Sequence, residues 1–300
     1  MRIGVSSYSY SALVAQGKYT QFELIALARD MGFEFIEFAG LIVPEKENKA
    51  DYASRLAEEC SRVGIGAGNY TIGADFLKPA QGNWKDEVER LKKEVDIAAI
   101  LQAPGMRHDV TTGRGKNTEL SERQYEPQSR APAESFDSVL PLLADACREV
   151  TQYAATKNIR TMLENHGYFC QDSDRVEKLI SAVNHPNYGL LVDIGNFMCA
   201  DEDSALAVGR IAPYGFHLHA KDFHYKKGFE PSPGQGWFPT RAGNWLRGAI
   251  IGHGVVPVSQ CIRVMLSSGY KGDISIEFEG LEDPVVGLTL GLENLKRMIG

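Results

Sequence analysis

Short apolar runs rich in β-branched and aromatic residues alternate eight times with longer stretches of helical period along the 300 residues. The runs predict strands at 2–7, 33–38, 65–71, 105–110, 159–165, 188–194, 215–221 and 272–279. The intervening stretches predict helices at 20–31, 50–63, 84–101, 134–157, 173–183, 203–211, 258–268 and 285–299. Eight strand–helix units in succession predict an α/β fold closed into a parallel (β/α)8 barrel, the TIM barrel.

An open, doubly wound sheet is the alternative α/β architecture for such a chain. It requires a glycine-rich turn after the first strand, and the segment SSYSYSALVAQG contains no G-x-G-x-x-G motif. No low-complexity segment and no linker rich in proline, glycine or serine divides the chain. Residues 1–300 are therefore expected to form a single barrel domain.

Two connections are longer than an ordinary loop between a strand and a helix. They cover residues 111–133, after the fourth strand, and residues 223–256, after the seventh. Long loops in compact domains usually have a function, and both follow strand ends, where barrel enzymes carry their active sites. Each loop is predicted to be a lid over the site, with a mobile loop or a subunit contact as the alternative.

Composition restricts the partners of the chain. The net charge is −7 and the isoelectric point is about 5.6, whereas a nucleic-acid-binding surface needs a basic stripe. The five cysteines form no C-x-x-C pair, which argues against a disulfide framework and favours a reducing compartment. No apolar run reaches the roughly 18 residues of a membrane span, and residues 1–10 lack signal-peptide character. We expect a cytoplasmic protein that binds neither nucleic acid nor membrane.

Potential metal ligands lie near the carboxyl ends of four consecutive predicted strands. They are Glu164, Asp193, His219 and Glu277, from strands five to eight. A charged group at the end of a buried strand is costly unless it is paired or coordinated, and one divalent cation would cancel the repulsion among three carboxylates. Three carboxylates and one imidazole suit Mn2+ best in our interpretation, with Mg2+, Co2+ and Zn2+ as alternatives. Structural ion pairs are the competing interpretation.

Other polar residues near the same strand ends are candidates for substrate binding. Arg107 and His108 end the fourth strand, and His166 and His217 lie beside the candidate ligands. Glu37 ends the second strand and is expected to form hydrogen bonds inside the barrel. No glycine-rich phosphate cradle accompanies the lysines and arginines of the loops, so the sequence favours an unphosphorylated sugar.

The motifs LENHG, LLVDIGN, HLHAKD, GHGVV and GYKGDISIEFEG, in this order, resemble the xylose-isomerase-like barrel superfamily. The resemblance runs nearly from end to end, and the superfamily includes sugar phosphate isomerases and epimerases, ketose 3-epimerases and inosose dehydratases. It implies that Glu164, Asp193, His219 and Glu277 bind the metal, and that Glu164 and Glu277 act as opposing acid/base groups. It also implies that Asp222 orients the imidazole ligand.

One position departs from the pattern of the superfamily. Many members carry a histidine three residues after the aspartate ligand, whereas this chain carries Asn196. Asn196 remains a candidate for substrate binding. The departure weakens a trinuclear zinc site like that of the abasic-site endonucleases, and it also weakens an assignment as a ketose 3-epimerase.

The sequence therefore predicts a divalent-metal-dependent sugar isomerase or epimerase. It would remove a proton next to the substrate carbonyl and form an enediolate, with a small sugar or sugar derivative as its partner. A lyase of the same superfamily, a sugar or inosose dehydratase or a glycoside-cleaving eliminase, is the alternative. An endonuclease-like phosphodiesterase and a non-catalytic sugar-binding barrel remain open, as does assembly into a homo-oligomer.

Overall fold

The computed structural model describes residues 1–112 and 135–300, and its strands confirm the predicted barrel. In chain order the strands are β1 (Ile3–Ser6), β2 (Phe35–Ala39), β3 (Gly66–Ile72), β4 (Gly105–His108), β5 (Arg160–Glu164), β6 (Tyr188–Asp193), β7 (Gly215–Ala220), β8 (Asp222–Lys226), β9 (Phe238–Pro239), β10 (Trp245–Ala249) and β11 (Ile274–Ile276). Strands β1 to β7 and β11 are parallel and form a closed barrel in chain order. Closure is made between β1 and β11, where Ile3 pairs with Ile274.

Among the described residues, the eight predicted helices cover the outside of the barrel, each within two residues of its predicted ends. The α-helices are α1 (Ser11–Ala15), α2 (Gln21–Asp30), α3 (Lys49–Val63), α4 (Trp84–Ile100), α5 (Phe136–Ala155), α6 (Ser173–Val183), α7 (Ser204–Ile211), α8 (Val258–Ser267) and α9 (Pro284–Ile299). Helix α1 was not predicted, and neither were the short 3-10 turns at Ser7–Tyr10, Asn196–Ala200 and Ala212–Tyr214. These elements are too short to show a helical period.

Residues with capping side chains or positive φ angles mark where the helices begin and end. Helix α2 begins at a capping box, in which the Thr20 amide donates to Glu23 Oε2 at 2.7 Å and the Glu23 amide donates to Thr20 Oγ1 at 3.3 Å. Helix α3 ends at Gly64, whose positive φ of 77° suits the left-handed cap conformation that glycine adopts without strain.

The amino-terminal end of the barrel is filled by the Phe35 ring. Gly4 and Gly68 lie against this ring, and a Cβ atom on either glycine would overlap it. Arg2 lies over the Phe35 ring from below, at 5.3 Å from its centroid. The interior is thus closed at this end, so the polar residues higher in the barrel are reached from the carboxyl end of the strands.

After β7 the chain forms a small antiparallel sheet with the order β8–β10–β9. Three contacts fix this sheet to neighbouring loops: Tyr168 Oη donates to the Pro239 carbonyl at 2.8 Å, Thr240 Oγ1 to Asp201 at 2.6 Å, and Arg241 to Asp172 at 2.9 Å. Residues 238–249 are therefore a fixed wall beside the barrel mouth. The prediction that residues 223–256 form a lid stays a prediction.

The predicted lid at 111–133 lies outside the described residues from position 113 onward. Within the described ranges, no helix is both long enough and apolar enough to cross a membrane.

Candidate metal centre

The four strand-end residues converge at the carboxyl end of the barrel. Each residue of this ligand quartet, Glu164, Asp193, His219 and Glu277, offers a ligand atom within 4.8 Å of the other three. All four side chains are buried, and Asp193 is fully inaccessible. Three carboxylates at such separations repel one another in a medium of low dielectric constant. The arrangement therefore needs a compensating positive charge.

Two atoms of the quartet are candidates for contact with a cation. Asp193 Oδ2 and His219 Nδ1 are buried, and neither forms a hydrogen bond within the described part of the chain. A buried polar atom without a partner costs about 1–3 kcal/mol. Asp193 Oδ1, by contrast, accepts hydrogen bonds from the amides of Gly195 at 2.9 Å and Asn196 at 3.0 Å. Asp193 Oδ2 lies 3.1 Å from Lys221 Nζ, whereas His219 Nδ1 has no hydrogen-bond partner among the described residues, and the donor set as a whole suits a divalent ion.

Glu37 orients the imidazole of the quartet from below. Its Oε2 lies 2.7 Å from His219 Nε2, and its Oε1 lies 3.2 Å from His217 Nε2 and accepts from Asn69 Nδ2 at 3.1 Å. Burial opposes ionisation of Glu37, but His217 and His219 outweigh it and hold the pKa of Glu37 well below its usual value. An ionised carboxylate only accepts hydrogen bonds, so His219 Nε2 donates and Nδ1 is directed at the quartet. The prediction that Glu37 forms hydrogen bonds inside the barrel is thus confirmed.

The resemblance placed this orienting role on Asp222, and that assignment is wrong. The Asp222 carboxylate accepts four backbone hydrogen bonds, of 2.8 to 3.0 Å, from the amides of Phe223, Gly252, Gly254 and Val256. It therefore fixes the loop after β10. Successive side chains of a strand point to opposite faces, and Asp222 is an odd number of residues from His219.

Lys221 is the functional candidate that sequence reasoning missed. Its side chain is buried, with Nζ at 2.5 Å from Glu277 Oε2, 2.8 Å from Glu279 Oε1 and 3.1 Å from Asp193 Oδ2. The ammonium group also donates to Asn196 Oδ1 at 3.2 Å. The signal was present in HLHAKD, because a residue two positions after His219 shares its face of the strand. Lys221 supplies positive charge to the quartet in this structure.

Three predicted substrate-binding residues lie beside the quartet. Arg107 Nε donates to Glu164 Oε2 at 2.6 Å, and Asn196 Nδ2 donates to Glu164 Oε1 at 3.0 Å. His166 Nδ1 lies 3.2 Å from Asp109 Oδ1, which also pairs with Arg107 at 3.2 Å. All three residues line the cavity above the quartet.

The structure places the other two predicted residues elsewhere. His108 is buried among the residues around the barrel, with its ring 6.0 Å from that of Phe76 and 6.4 Å from that of Tyr188. It follows Arg107, which points into the mouth, so the alternation of the strand sends His108 outward. His217 lies beneath the quartet, bound to Glu37 and 3.0 Å from Ser275 Oγ. Neither is among the described residues that line the cavity.

The cavity above the quartet, called the mouth cavity below, has a volume of about 640 Å3. This volume is in the usual range for small-molecule sites, roughly 300–1,000 Å3. Glu164 and Glu277 both open into it, and Tyr8, Tyr168 and Phe238 contribute aromatic walls. The site therefore combines two carboxylates, donors that orient them and space for a small polar ligand.

Comparison with solved structures finds the same fold at low sequence identity. A xylose isomerase-like TIM barrel protein from Mycobacterium smegmatis in complex with magnesium has a TM-score of 0.68 and 17% identity, covering 93% of this chain and 86% of that one. An L-ribulose 3-epimerase has a TM-score of 0.69 and 19% identity, covering 99% and 96%. The probable 3-DHS dehydratase involved in petrobactin synthesis from Bacillus anthracis has a TM-score of 0.67 and 16% identity, covering 100% and 99%.

No curated protein sequence matches this chain significantly. The family model described as xylose isomerase-like TIM barrel, however, matches residues 25–298. That match includes the ligand quartet, Glu37 and Lys221. By its sequence and by its closed parallel barrel, this chain belongs to the xylose isomerase-like TIM barrel family.

Proposed function

We propose that this protein is a divalent-metal-dependent sugar isomerase or epimerase. The observation that carries the proposal is that Glu164 and Glu277 open into one cavity from different strands while both belong to the ligand quartet. One carboxylate would remove a proton from the carbon next to a sugar carbonyl, and the other would return a proton. The likeness to an L-ribulose 3-epimerase supports this choice of chemistry.

The metal is part of the proposal. When bound by the quartet, a divalent cation, with Mn2+ as our first choice, would stabilise the negative charge that develops on the substrate oxygens. The magnesium complex of the Mycobacterium smegmatis protein makes Mg2+ the main alternative.

Neighbouring side chains hold the two carboxylates in fixed orientations. Arg107 and Asn196 donate to the two oxygens of Glu164, one each. Lys221 contacts Glu277 Oε2, and Ser6 Oγ donates to Glu277 Oε1 at 3.4 Å. Burial opposes ionisation of Glu277, but Lys221 and His219 outweigh it and lower the pKa of this carboxyl. Glu277 is thus kept in the form that accepts a proton.

The charges around the mouth cavity favour a sugar without a phosphate group. Its basic side chains are each paired with a carboxylate: Arg107 with Glu164, Lys221 with Glu277, Lys49 with Glu94, and Arg90 with Glu87. Among the described residues of the cavity wall, no lysine or arginine is left to neutralise a phosphate. We therefore extend the proposal to unphosphorylated sugars.

A lyase is the second candidate, and His166 is the observation in its favour. Its half-exposed side chain lines the mouth cavity and is paired with Asp109. An imidazolium there could protonate a leaving hydroxyl after the same proton abstraction. The likeness to a probable 3-DHS dehydratase is in keeping with this outcome.

Metal analysis followed by incubation of the Mn2+-loaded protein with a panel of sugars in D2O tests both candidates. Incorporation of deuterium without further change of mass supports an isomerase or epimerase, and incorporation with loss of water supports a lyase. Glu164→Gln and Glu277→Gln should each abolish incorporation, while the exposed control Glu89→Gln should not change it. A metal-loaded protein that incorporates deuterium into no sugar of the panel would contradict the enzymatic proposal.

A further inference from the structure

A second cavity adjoins the mouth cavity. It has a volume of about 560 Å3 and lies between the segment that follows β1 and the segment that follows β11, with Gln235 at its edge. Tyr8 and Glu279 line both cavities, so this side cavity begins where the mouth cavity ends. A ligand that fills the mouth cavity and continues past Tyr8 would enter it.

The walls of the side cavity offer polar groups that have no assigned role. The exposed side chains of Ser11, Gln16 and Gln235 line it. Glu282 Oε2 is a buried atom without a hydrogen-bond partner among the described residues. Hydroxyl groups of a ligand, each both donor and acceptor, could satisfy amide and carboxylate groups alike.

The junction of the two cavities also suits a sugar ring. Tyr8 is a large aromatic side chain that is 43% exposed there, so its ring can pack against the C–H face of a sugar. Glu279 Oε1 is bound to Lys221 of the metal centre, and the same carboxylate lines the side cavity. One residue thus connects the two spaces.

The charge of the side cavity restricts its ligand. Among the described residues, its charged lining consists of Glu279, Glu282, Asp283 and Lys18. Glu279 is paired with Lys221, and Glu282 Oε1 lies 4.0 Å from Arg247. Asp283 is already engaged as the cap of α9, where it accepts from the amides of Val285 and Val286. The lining thus offers Lys18 as its one described cation for a phosphate or carboxylate group, whereas uncharged hydroxyls need no such partner.

We propose that the side cavity is a second sugar subsite, and that the substrate is an uncharged disaccharide or sugar glycoside whose reacting ring occupies the mouth cavity. This inference rests on the proposed function, because it extends the substrate of that site. It assigns the second ring to Tyr8, Gln235 and Glu282.

The test compares sugars that differ only by a second neutral ring. D-Fructose is compared with lactulose, turanose and isomaltulose, and D-glucose with maltose, cellobiose and gentiobiose. Binding is measured by calorimetry on the Mn2+-loaded Glu164→Gln variant, which retains the side cavity but should not turn over. At least one disaccharide should bind about tenfold more tightly than its monosaccharide. Glucose 6-phosphate should bind no more tightly than glucose.

A substitution that fills the side cavity distinguishes a specific subsite from a general affinity for sugars. Ala12 lines the side cavity on an exposed face of α1, so Ala12→Trp fills the space without removing a contact of the core. Combined with Glu164→Gln, this substitution should abolish the gain in affinity that the second ring provides. The affinity for monosaccharides and the metal content should stay unchanged. Gln235→Ala should reduce the gain in the same way.

The outcomes distinguish this inference from the proposed function. If the wild-type protein exchanges deuterium into monosaccharides but no disaccharide binds more tightly, the subsite is refuted and the proposed function stands. If Ala12→Trp weakens monosaccharides and disaccharides equally, the subsite is refuted as well. If neither size of sugar binds or exchanges, both proposals fail together.

Discussion

Glu37 lies 2.7 Å from His219 Nε2, at the base of the ligand quartet, although 182 residues separate the two in the chain. The pair fixes which imidazole nitrogen faces the centre of the quartet, because the ionised carboxylate accepts the proton of Nε2. Through this contact, a residue outside the quartet sets the orientation of one of its candidate ligands.

Replacing Glu37 should therefore weaken metal binding without removing a ligand. Loss of a partner that orients a histidine ligand typically costs about 10–100-fold in metal affinity. We expect Glu37→Gln to lower Mn2+ affinity within this range, measured by competition with a chelator. An affinity equal to that of the wild-type protein would mean that the Glu37 contact does not orient His219.

Asp222 offers a matched comparison, because it adjoins the same strand but serves a loop. Asp222→Ala removes the acceptor of four backbone hydrogen bonds and should lower the free energy of unfolding by at least about 2 kcal/mol. Asp222→Asn, which keeps one carbonyl oxygen, should lose less. Thermal unfolding measures both. A large loss of metal affinity in the folded variants, with little change in melting temperature, would restore Asp222 to the metal centre.

Metal binding should depend on pH through His219. Burial disfavours a charged imidazole, but Glu37, Glu277 and Glu164 outweigh it and raise the pKa of His219 to about 9. Below this pH the metal must displace a proton, so its affinity should rise about tenfold per pH unit and level off above pH 9. Calorimetry with Mg2+ across this range checks the slope.

The Glu37→Gln variant is the control for the pH dependence. Without the negative charge of Glu37, the pKa of His219 should fall, and the affinity should level off at a lower pH. A metal affinity that does not change with pH below 9 in the wild-type protein would contradict the role given to His219.

Lys221 should oppose metal binding while it stabilises the metal-free protein. Lys221→Met removes a buried ammonium that contacts three carboxylates, and breaking such a buried pair costs about 3–5 kcal/mol. The same change removes a positive charge next to the quartet, so Mn2+ should bind more tightly. The rise in melting temperature on adding Mn2+ should therefore be larger in the variant than in the wild-type protein. A smaller rise would show that Lys221 supports the metal rather than competing with it.

The barrel was predictable because each strand and helix carries its own periodicity and end signals. The positions of Glu164, Asp193, His219 and Glu277 followed from the same local pattern, since parallel strands end at one edge. The small sheet formed by β8, β9 and β10 was not predicted. Its strands are short, and the segment between β8 and β9 is rich in glycine and proline, which is typical of a loop.

Pairings between distant strands explain what the sequence analysis missed. The contact of Glu37 with His219 exists only because closure of the barrel brings β2 and β7 to one interior. Because successive side chains of a strand alternate between its faces, Arg107 faces the mouth and His108 faces outward. Predicting this requires knowing which residues of the fourth strand point into the barrel. Lys221 lies within the motif HLHAKD, which the sequence analysis had identified. The same alternation of side chains places Lys221 on the face of His219, two residues away.

The contact between Glu37 and His219 has a consequence for assembly of the fold. A half-barrel of residues 135–300 would contain every ligand of the quartet but lack the carboxylate that aims the imidazole, because Glu37 comes from the other half. Tight metal uptake would then report that the two halves have come together, rather than that either half has formed alone.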